Sequence, residues 1–422
     1  MIPYRQALQI ILQHTGVRKT EKLPLLSAHS RISAAEITSA MQVPSFCNSA
    51  MDGFAVRCAD IAGATVEQPI ALPIMRTIAA GDVVTMETAS GASQIMTGAP
   101  VPEPYDAVIP VEEVMVAGDE VSFMRPAREH ENIRFPGEDV RLGQRVLRRN
   151  ETIATERVML LAAVGVAEVE VYQLPALHIL STGKEITDNA GAPLPEGRIY
   201  NSNAPYLIAC CREEGFTPEY GGIIADDPAA FEQAIASITP GSVIITTGAV
   251  SKGTWDFIPE SLKHLGATTH FHRVNIRPGK PVLFATLPNG SWFFGLPGNP
   301  VSAAIGFRFF VLPLLWALQG LEPEQPLMAR LENGFIKKGN FRQFLKSRLS
   351  ANAKGELVAT VSSGQESFKI SPVAESNAWV MLEEDRLECK AGTMVSVLPF
   401  RTQAAEVLAA QPMKEAPLCR IA

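Results

Sequence analysis

The chain has 422 residues, with 37 Lys or Arg against 44 Asp or Glu, a formal net charge of −7. A net-acidic chain lacks the basic face that a phosphate backbone demands, which argues against a nucleic-acid binder. Hydrophobic residues make up 46% and charged residues 19%, enough apolar surface for more than one core, and about 150 residues per domain gives about three domains.

The longest apolar run, Phe309–Leu318, is short of the roughly 20 residues of a membrane span. Met1-Ile2-Pro3-Tyr4-Arg5-Gln6 lacks the basic and then apolar pattern of a secretory signal. Six Cys, at 47, 58, 210, 211, 389 and 419, form no Cys-x-x-Cys pair. That spacing argues against a thiolate zinc site and fits a reducing compartment. No membrane partner and a cytoplasmic location are therefore expected.

In chain order, residues 4–14 space their apolar positions as a helix does. Residues 23–42 read as Leu23-Pro24-Leu25 and then an Ala-rich polar helix. From 44 to about 150, short apolar runs at Gln68–Ile74, Asp106–Val111, Glu120–Met124 and Gln144–Leu147 lie between Gly, Pro and Asp turns, a strand-rich module. Residues 152–166 predict a helix ending at Gly165. Strands are then predicted at Leu177–Leu180, Val243–Thr246, Val282–Ala285 and Trp292–Gly295. Helices are predicted at Asn203–Glu214, Ala229–Ile238, Ile258–Leu265 and Val301–Leu318. That alternation implies a parallel, doubly wound sheet. Residues 326–400 return to short strands, as in a small barrel or sandwich.

Ligands of such sheets bind beyond the carboxyl ends of the strands. Three of those ends carry unusual loops: Ser181-Thr182-Gly183-Lys184-Glu185, Thr247–Asp256 and Leu296-Pro297-Gly298-Asn299-Pro300-Val301-Ser302. Pro300 suits the first helical position and Asn299 the N-cap, so this helix end can hold an anion or can simply be well capped. The middle loop offers Gly248 and Gly253 with Ser251, Lys252 and Asp256 as polar arms, and matches neither a P-loop nor a dinucleotide fingerprint. Arg277-Pro278-Gly279-Lys280-Pro281 sets two cations about a rigid turn, which suits one phosphate group or a solvated turn. Asp227-Pro228 reads as an N-cap and first helical position, leaving Asp226 free. The seven histidines form no metal pattern, and His270-x-His272 is read as non-ligating. The carboxylates Asp52, Asp139, Glu185, Asp226 and Asp256 suit a hard cation such as Mg²⁺ that bridges phosphate oxygens.

Seven motifs occur in one order: Ser49–Val56 with its Met51-Asp52-Gly53 turn, Met96-Thr97-Gly98-Ala99-Pro100, Gly137-Glu138-Asp139, Ser181-Thr182-Gly183-x-Glu185, Gly248-Ala249-Val250-Ser251-x-Gly253, Pro278-Gly279-Lys280-Pro281 and Gly295–Ser302. Together they resemble the molybdopterin molybdenumtransferase family, called MoeA in bacteria and the E domain of gephyrin in animals, over residues 4 to 400. The resemblance implies an elongated multidomain α/β plus β protein with four domains. These are a mixed two-segment domain at 1–43 and 141–174, a β-rich module at 44–140, a doubly wound α/β domain like that of molybdopterin adenylyltransferases at 175–320, and a C-terminal β-barrel at 321–410.

It also implies a homodimer whose sites form where the α/β domain of one subunit meets the β-rich module of the other. The implied reaction takes adenylylated molybdopterin and molybdate, needs Mg²⁺, and releases AMP and molybdenum cofactor. Asp52, Asp139, Glu185, Asp226 and Asp256 are the implied catalytic carboxylates, with Glu185, Asp226 and Asp256 as metal ligands. Thr97, Arg134, Ser251, Lys252, Arg277, Lys280, Gly298, Asn299 and Ser302 are implied substrate and phosphate contacts. Ser367, Ser371 and Lys346 are implied molybdate contacts. Molybdopterin adenylyltransferase and molybdoenzyme chaperones are implied partners.

Three positions depart from the family pattern: Arg277 where Lys is frequent, Lys184 where an acid is common, and Lys346 where Arg often follows an aromatic. They leave room for a preference for tungstate. Two other readings compete. A pterin-binding scaffold would bind without releasing AMP, and a nucleotidyl transferase would consume ATP with the unadenylylated pterin.

Overall fold

The computed structural model describes residues 1–16, 18–83, 91–249 and 257–401. The chain divides into two compact units, Lys22–Val171 and Met1–Glu21 with Tyr172–Ala422.

The first unit, Lys22–Val171, holds a six-stranded sheet in the order 107–110, 53–56, 92–95, 70–78, 120–123, 114–117. Phe54, Val56, Ile109, Val121 and Phe123 are buried against it. A separate cluster joins Leu25 and Ala28 to Val140, Leu147, Ile153, Leu161 and Val169, from the two ends of the unit. The helix expected within 23–42 does not form. That stretch has one 3₁₀ turn, Leu25–Ala28, and a short strand, Ile37–Thr38. The reason is tertiary: buried Ser33 donates its hydroxyl to the carbonyls of Arg148 (2.5 Å) and Glu151 (3.1 Å), its N–H also goes to Glu151, and Ile37–Thr38 pairs with Arg145–Leu147. Pairing with distant backbone overrides the helix propensity of the alanines.

The second unit contains the α/β sheet, in the order 219–224, 177–182, 243–247, 292–296, 283–286, 268–272. The first four strands are parallel, 283–286 runs antiparallel to 292–296, and 268–272 runs antiparallel to 283–286. The sheet is thus mixed, not wholly parallel as expected, and Glu219–Ile224 and Thr268–His272 are additional strands. The predicted helices form at Asn203–Glu213, Pro228–Ala236, Ile258–His264 and Pro300–Leu318. The last is long and apolar enough to cross a membrane, but it is wholly buried. Its middle turn, Phe307–Val311, widens to a π-helix, just before Pro313, which has no N–H for the helical ladder.

Strands 342–351, 357–361, 327–331, 394–399 and 378–382 pair in a ring, and the last returns to the first. This closed five-stranded barrel takes Ile276–Arg277 as an added strand beside Arg342–Gln343.

The helix at Tyr4–Gln13 belongs to this second unit and not with residues 22–43 and 141–171. Tyr4, Ala7 and Ile11 fall on one helical face, and all three sink into the same core as Phe309, Phe310, Leu314 and Phe344. The Tyr4 ring meets Phe310 and Phe344 edge-on at 5.6 Å, and the Arg342 guanidinium lies 4.9 Å from its centre. Burial pushes its phenol up to about 12.

Candidate functional site

In the second unit, the chain leaves strand 177–182 for the neighbour on one side, 219–224, and then for the neighbour on the other, 243–247. The order of strands reverses there, and the crevice outside the carboxyl ends at such a point is where open α/β sheets bind ligands. Thr182, Asp226, Gly248 and Gly298 all lie at that edge.

Backbone packs closely around the crevice. The Gly248 N–H donates to the Leu296 carbonyl (3.0 Å). Gly248 has φ +98°, and a Cβ there would lie 2.5 Å from the Thr182 carbonyl oxygen and 2.6 Å from its hydroxyl. Only glycine combines that backbone with that approach. A Cβ on Gly298 would be 3.8 Å from Gly248 Cα, so the two glycine loops adjoin.

Two expected carboxylates lie at this edge. Asp226 accepts a hydrogen bond from the Lys184 N–H (3.1 Å). Glu185, one residue on, folds its carboxylate over Gly183, where a Cβ would lie 2.8 Å from both oxygens. Asp227 makes the expected N-cap, accepting from Ala229 (3.4 Å) and Ala230 (3.2 Å). Among the described residues no three His, Cys, Asp or Glu form a metal group. Two carboxylates at one sheet edge still suit Mg²⁺, which takes one or two protein carboxylates and completes its shell with phosphate oxygens and water. Ser251, Lys252 and Asp256 lie outside the described residues.

A polar network that the motifs did not reveal borders the crevice. The Asn201 amide donates to Ser181 (3.0 Å), Asp188 (2.9 Å) and Tyr220 (2.9 Å) oxygens. The Tyr220 hydroxyl donates to Asp188 (2.7 Å). Burial, and then the Asp188 bond, push the Tyr220 phenol up to about 12. Asn203, two residues on, donates to the Gly298 carbonyl (2.8 Å). The cluster Asn201-Ser202-Asn203 before a helix was its sequence signal.

The phosphate candidates separate. Lys280 is exposed, and its turn touches the helix start, since a Cβ on Gly279 would lie 3.4 Å from the Ser302 carbonyl. Arg277 is also exposed, and its guanidinium lies 5.7 Å from the centre of the Phe341 ring, a cation–aromatic contact. Asn299 stands at the N-cap, but its side chain makes no capping bond. Ser302 is buried, and the Val301 N–H donates to the Ser367 carbonyl (3.1 Å). One N–H of that helix end is therefore already taken by a backbone carbonyl. Ser371 starts a short helix, Ser371–Ala374.

Lys346 differs most from expectation. It is 1% exposed, and its ammonium donates to the carbonyls of Gly364 (2.6 Å), Glu366 (3.1 Å) and Lys369 (3.2 Å). All three of its protons are used, so none remains for an oxyanion.

In the first unit, Asp52 accepts from the Thr97 N–H (2.7 Å) and hydroxyl (2.9 Å). The Ser49 and Gly98 backbones are joined (2.8 Å), and Arg134 pairs with Asn48 across two short strands. Asp52, Thr97 and Arg134 thus share one end of this unit. Asp139 is exposed beside Val43, to whose carbonyl its N–H donates (3.0 Å).

Family models match in three blocks. The MoeA N-terminal region, domains I and II, matches residues 2–165. A probable molybdopterin binding domain matches 178–317, and the MoeA C-terminal region, domain IV, matches 328–400. A molybdopterin molybdenumtransferase of Synechococcus elongatus is 33% identical over 404 residues, covering 94% of this chain and 99% of that one. The chain belongs to the molybdopterin molybdenumtransferase family. The Haemophilus influenzae member is 36% identical over 389 residues, covering 90% and 94% of the two chains. The crystal structure of the molybdopterin biosynthesis MoeA protein of Pyrococcus horikoshii OT3 superposes with a TM-score of 0.76 at 29% identity, covering 94% and 99%. The family's α/β and barrel architecture is thus that of the second unit.

Proposed function

We propose that this chain is a molybdopterin molybdenumtransferase that inserts molybdate into adenylylated molybdopterin, cleaves the pyrophosphate link and releases AMP with molybdenum cofactor. The observation that carries this reading is the glycine-walled crevice at the sheet's switch point, with Asp226 and Glu185 on its rim. Close backbone approach at Gly248 and Gly298 suits a flat pterin or a pyrophosphate. Exposed Lys280 supplies a point charge for phosphate oxygens. Glu185 and Asp226 would hold Mg²⁺, with Asp256 as a third candidate. Bound there, the cation would neutralise charge on the pyrophosphate as its link breaks. The Asp188–Asn201–Tyr220 network fixes the Ser181 hydroxyl at the crevice wall.

We further propose a homodimer in the cytoplasm, with Asp52 as a catalytic carboxylate. Light scattering tests the dimer directly: a particle of one chain's mass at working concentration would refute it.

Lys280→Ala is expected to weaken binding of adenylylated molybdopterin about tenfold, by loss of one charge-assisted contact. The difference from wild type is expected to shrink at 0.5 M salt, where screening shortens to a few ångströms. Calorimetric titration at two salt concentrations checks this, and an unchanged affinity at low salt would place the phosphates elsewhere.

A further inference from the structure

Residues 362–370 form a segment whose attachments converge on one side chain. Lys346 sits in the barrel strand Arg342–Ala351 with its ammonium buried beneath this segment. The three carbonyls it holds, of Gly364, Glu366 and Lys369, span six residues. Gln365 binds back to the same residue: its side-chain oxygen accepts from the Lys346 N–H (3.0 Å), and its amide donates to the Lys346 carbonyl (2.9 Å) and to Ser362 (2.7 Å). Lys369 and Glu366 close the outer face with an ion pair at 3.1 Å.

Between these anchors, the Ser367 carbonyl receives the Val301 N–H at the start of the core helix. The helix start and the segment's continuation, Ile370 and Val373, line a small apolar cavity with Asn203 and Tyr206, of about 50 Å³. Asn203 also holds the Gly298 carbonyl. The strap, the helix start and the Gly298 loop of the crevice are therefore one connected structure.

We propose that Lys346 is a positioning residue that holds residues 364–369 as a strap across the start of the core helix, and so fixes the Gly298–Val301 loop against the crevice. Its charge serves backbone carbonyls and not the oxyanion. A buried ammonium is tolerable only because every proton has a partner, and burial holds this amine below its ordinary range. Removing it leaves three carbonyls unsatisfied, which releases the strap before the barrel. The catalytic consequence rests on the reading of the crevice given above. The strap itself does not.

The test is hydrogen exchange on the full-length protein together with kinetics. Lys346→Met keeps the length of the side chain and removes its donors. Amides of 364–369 and Val301 are expected to exchange at least about tenfold faster, with strands 378–382 and 394–399 still protected. KM for adenylylated molybdopterin is expected to rise several-fold with kcat less affected. Gln365→Ala, which leaves the cation in place, is expected to shift the same amides and the same KM in the same direction by less, and it carries the test should Lys346→Met not fold. Unchanged strap exchange in both variants overturns the proposal, as does a molybdate KM raised by Lys346→Met alone with the strap still protected. Faster strap exchange in a protein without transferase activity would leave the strap standing and refute the proposed reaction.

Discussion

Asp52→Ala is expected to leave the protein folded and to lower cofactor formation by about a hundredfold or more, the scale of losing a positioned ionisable group. Asp52 stands at an exposed turn, so its removal leaves the apolar core untouched and loses only its two bonds from Thr97. The Thr97 N–H and then its hydroxyl hold the carboxyl below its usual range. Asp52 is therefore fully ionised at neutral pH. A carboxyl lowered in the folded state adds stability above the ordinary carboxylate range, and that contribution is lost as pH falls through the lowered value. Activity that depends on the Asp52 charge should thus be flat from pH 6 to 8 as far as this group is concerned. Asp52→Asn keeps an acceptor for Thr97 and removes the charge, so it is expected to be as inactive as Asp52→Ala. Full activity in the asparagine variant would reduce Asp52 to a turn residue.

Gly53→Ala, one residue on, is expected to cost about 3 kcal/mol, the upper end for a side chain forced into packed structure. Gly53 lies in the strand between 92–95 and 107–110. A Cβ there would overlap the Ile109 carbonyl oxygen and stand 2.8 Å from its carbon and 3.0 Å from Pro110 Cα. Those atoms are backbone of a paired strand, so no rotamer change relieves them. Gly98→Ala is the control. Gly98 has φ +80° but nothing within 4 Å of a Cβ, so only the left-handed backbone is penalised, about 1–2 kcal/mol. Urea unfolding of the three proteins ranks them. A Gly53→Ala midpoint equal to or above that of Gly98→Ala would contradict the close approach.

Strands and helices with one apolar signature were legible in the sequence. Leu177–Thr182, Val243–Thr247 and Trp292–Leu296 are buried central strands and read as short apolar runs. Glu219–Ile224 and Thr268–His272 sit at the two edges of the sheet with one buried residue each, the first broken by Gly221-Gly222 and the second polar, and neither reads as a continuous apolar run. Asp227-Pro228 and Asn299-Pro300 marked helix starts correctly because Pro is tolerated there, although Asn299 does not bond.

The site divides in the same way. Glu185 was legible in the loop after the predicted strand Leu177–Leu180, and Asp226 because Asp227-Pro228 reads as the helix start and leaves Asp226 free. The Asp188–Asn201–Tyr220 network was not, since its members come from three segments joined only by the fold. Lys346 was misread because a sequence gives its charge and not its surroundings. Its carbonyl partners lie 18 to 23 residues downstream.

The most direct test of the transferase reading is AMP release. Purified protein is incubated with adenylylated molybdopterin and Mg²⁺, with and without molybdate, and AMP is measured by chromatography. AMP release is expected to require molybdate and to fall when Mg²⁺ is chelated. Tight pterin binding with no AMP released under either condition would contradict it and make the chain a pterin-binding scaffold.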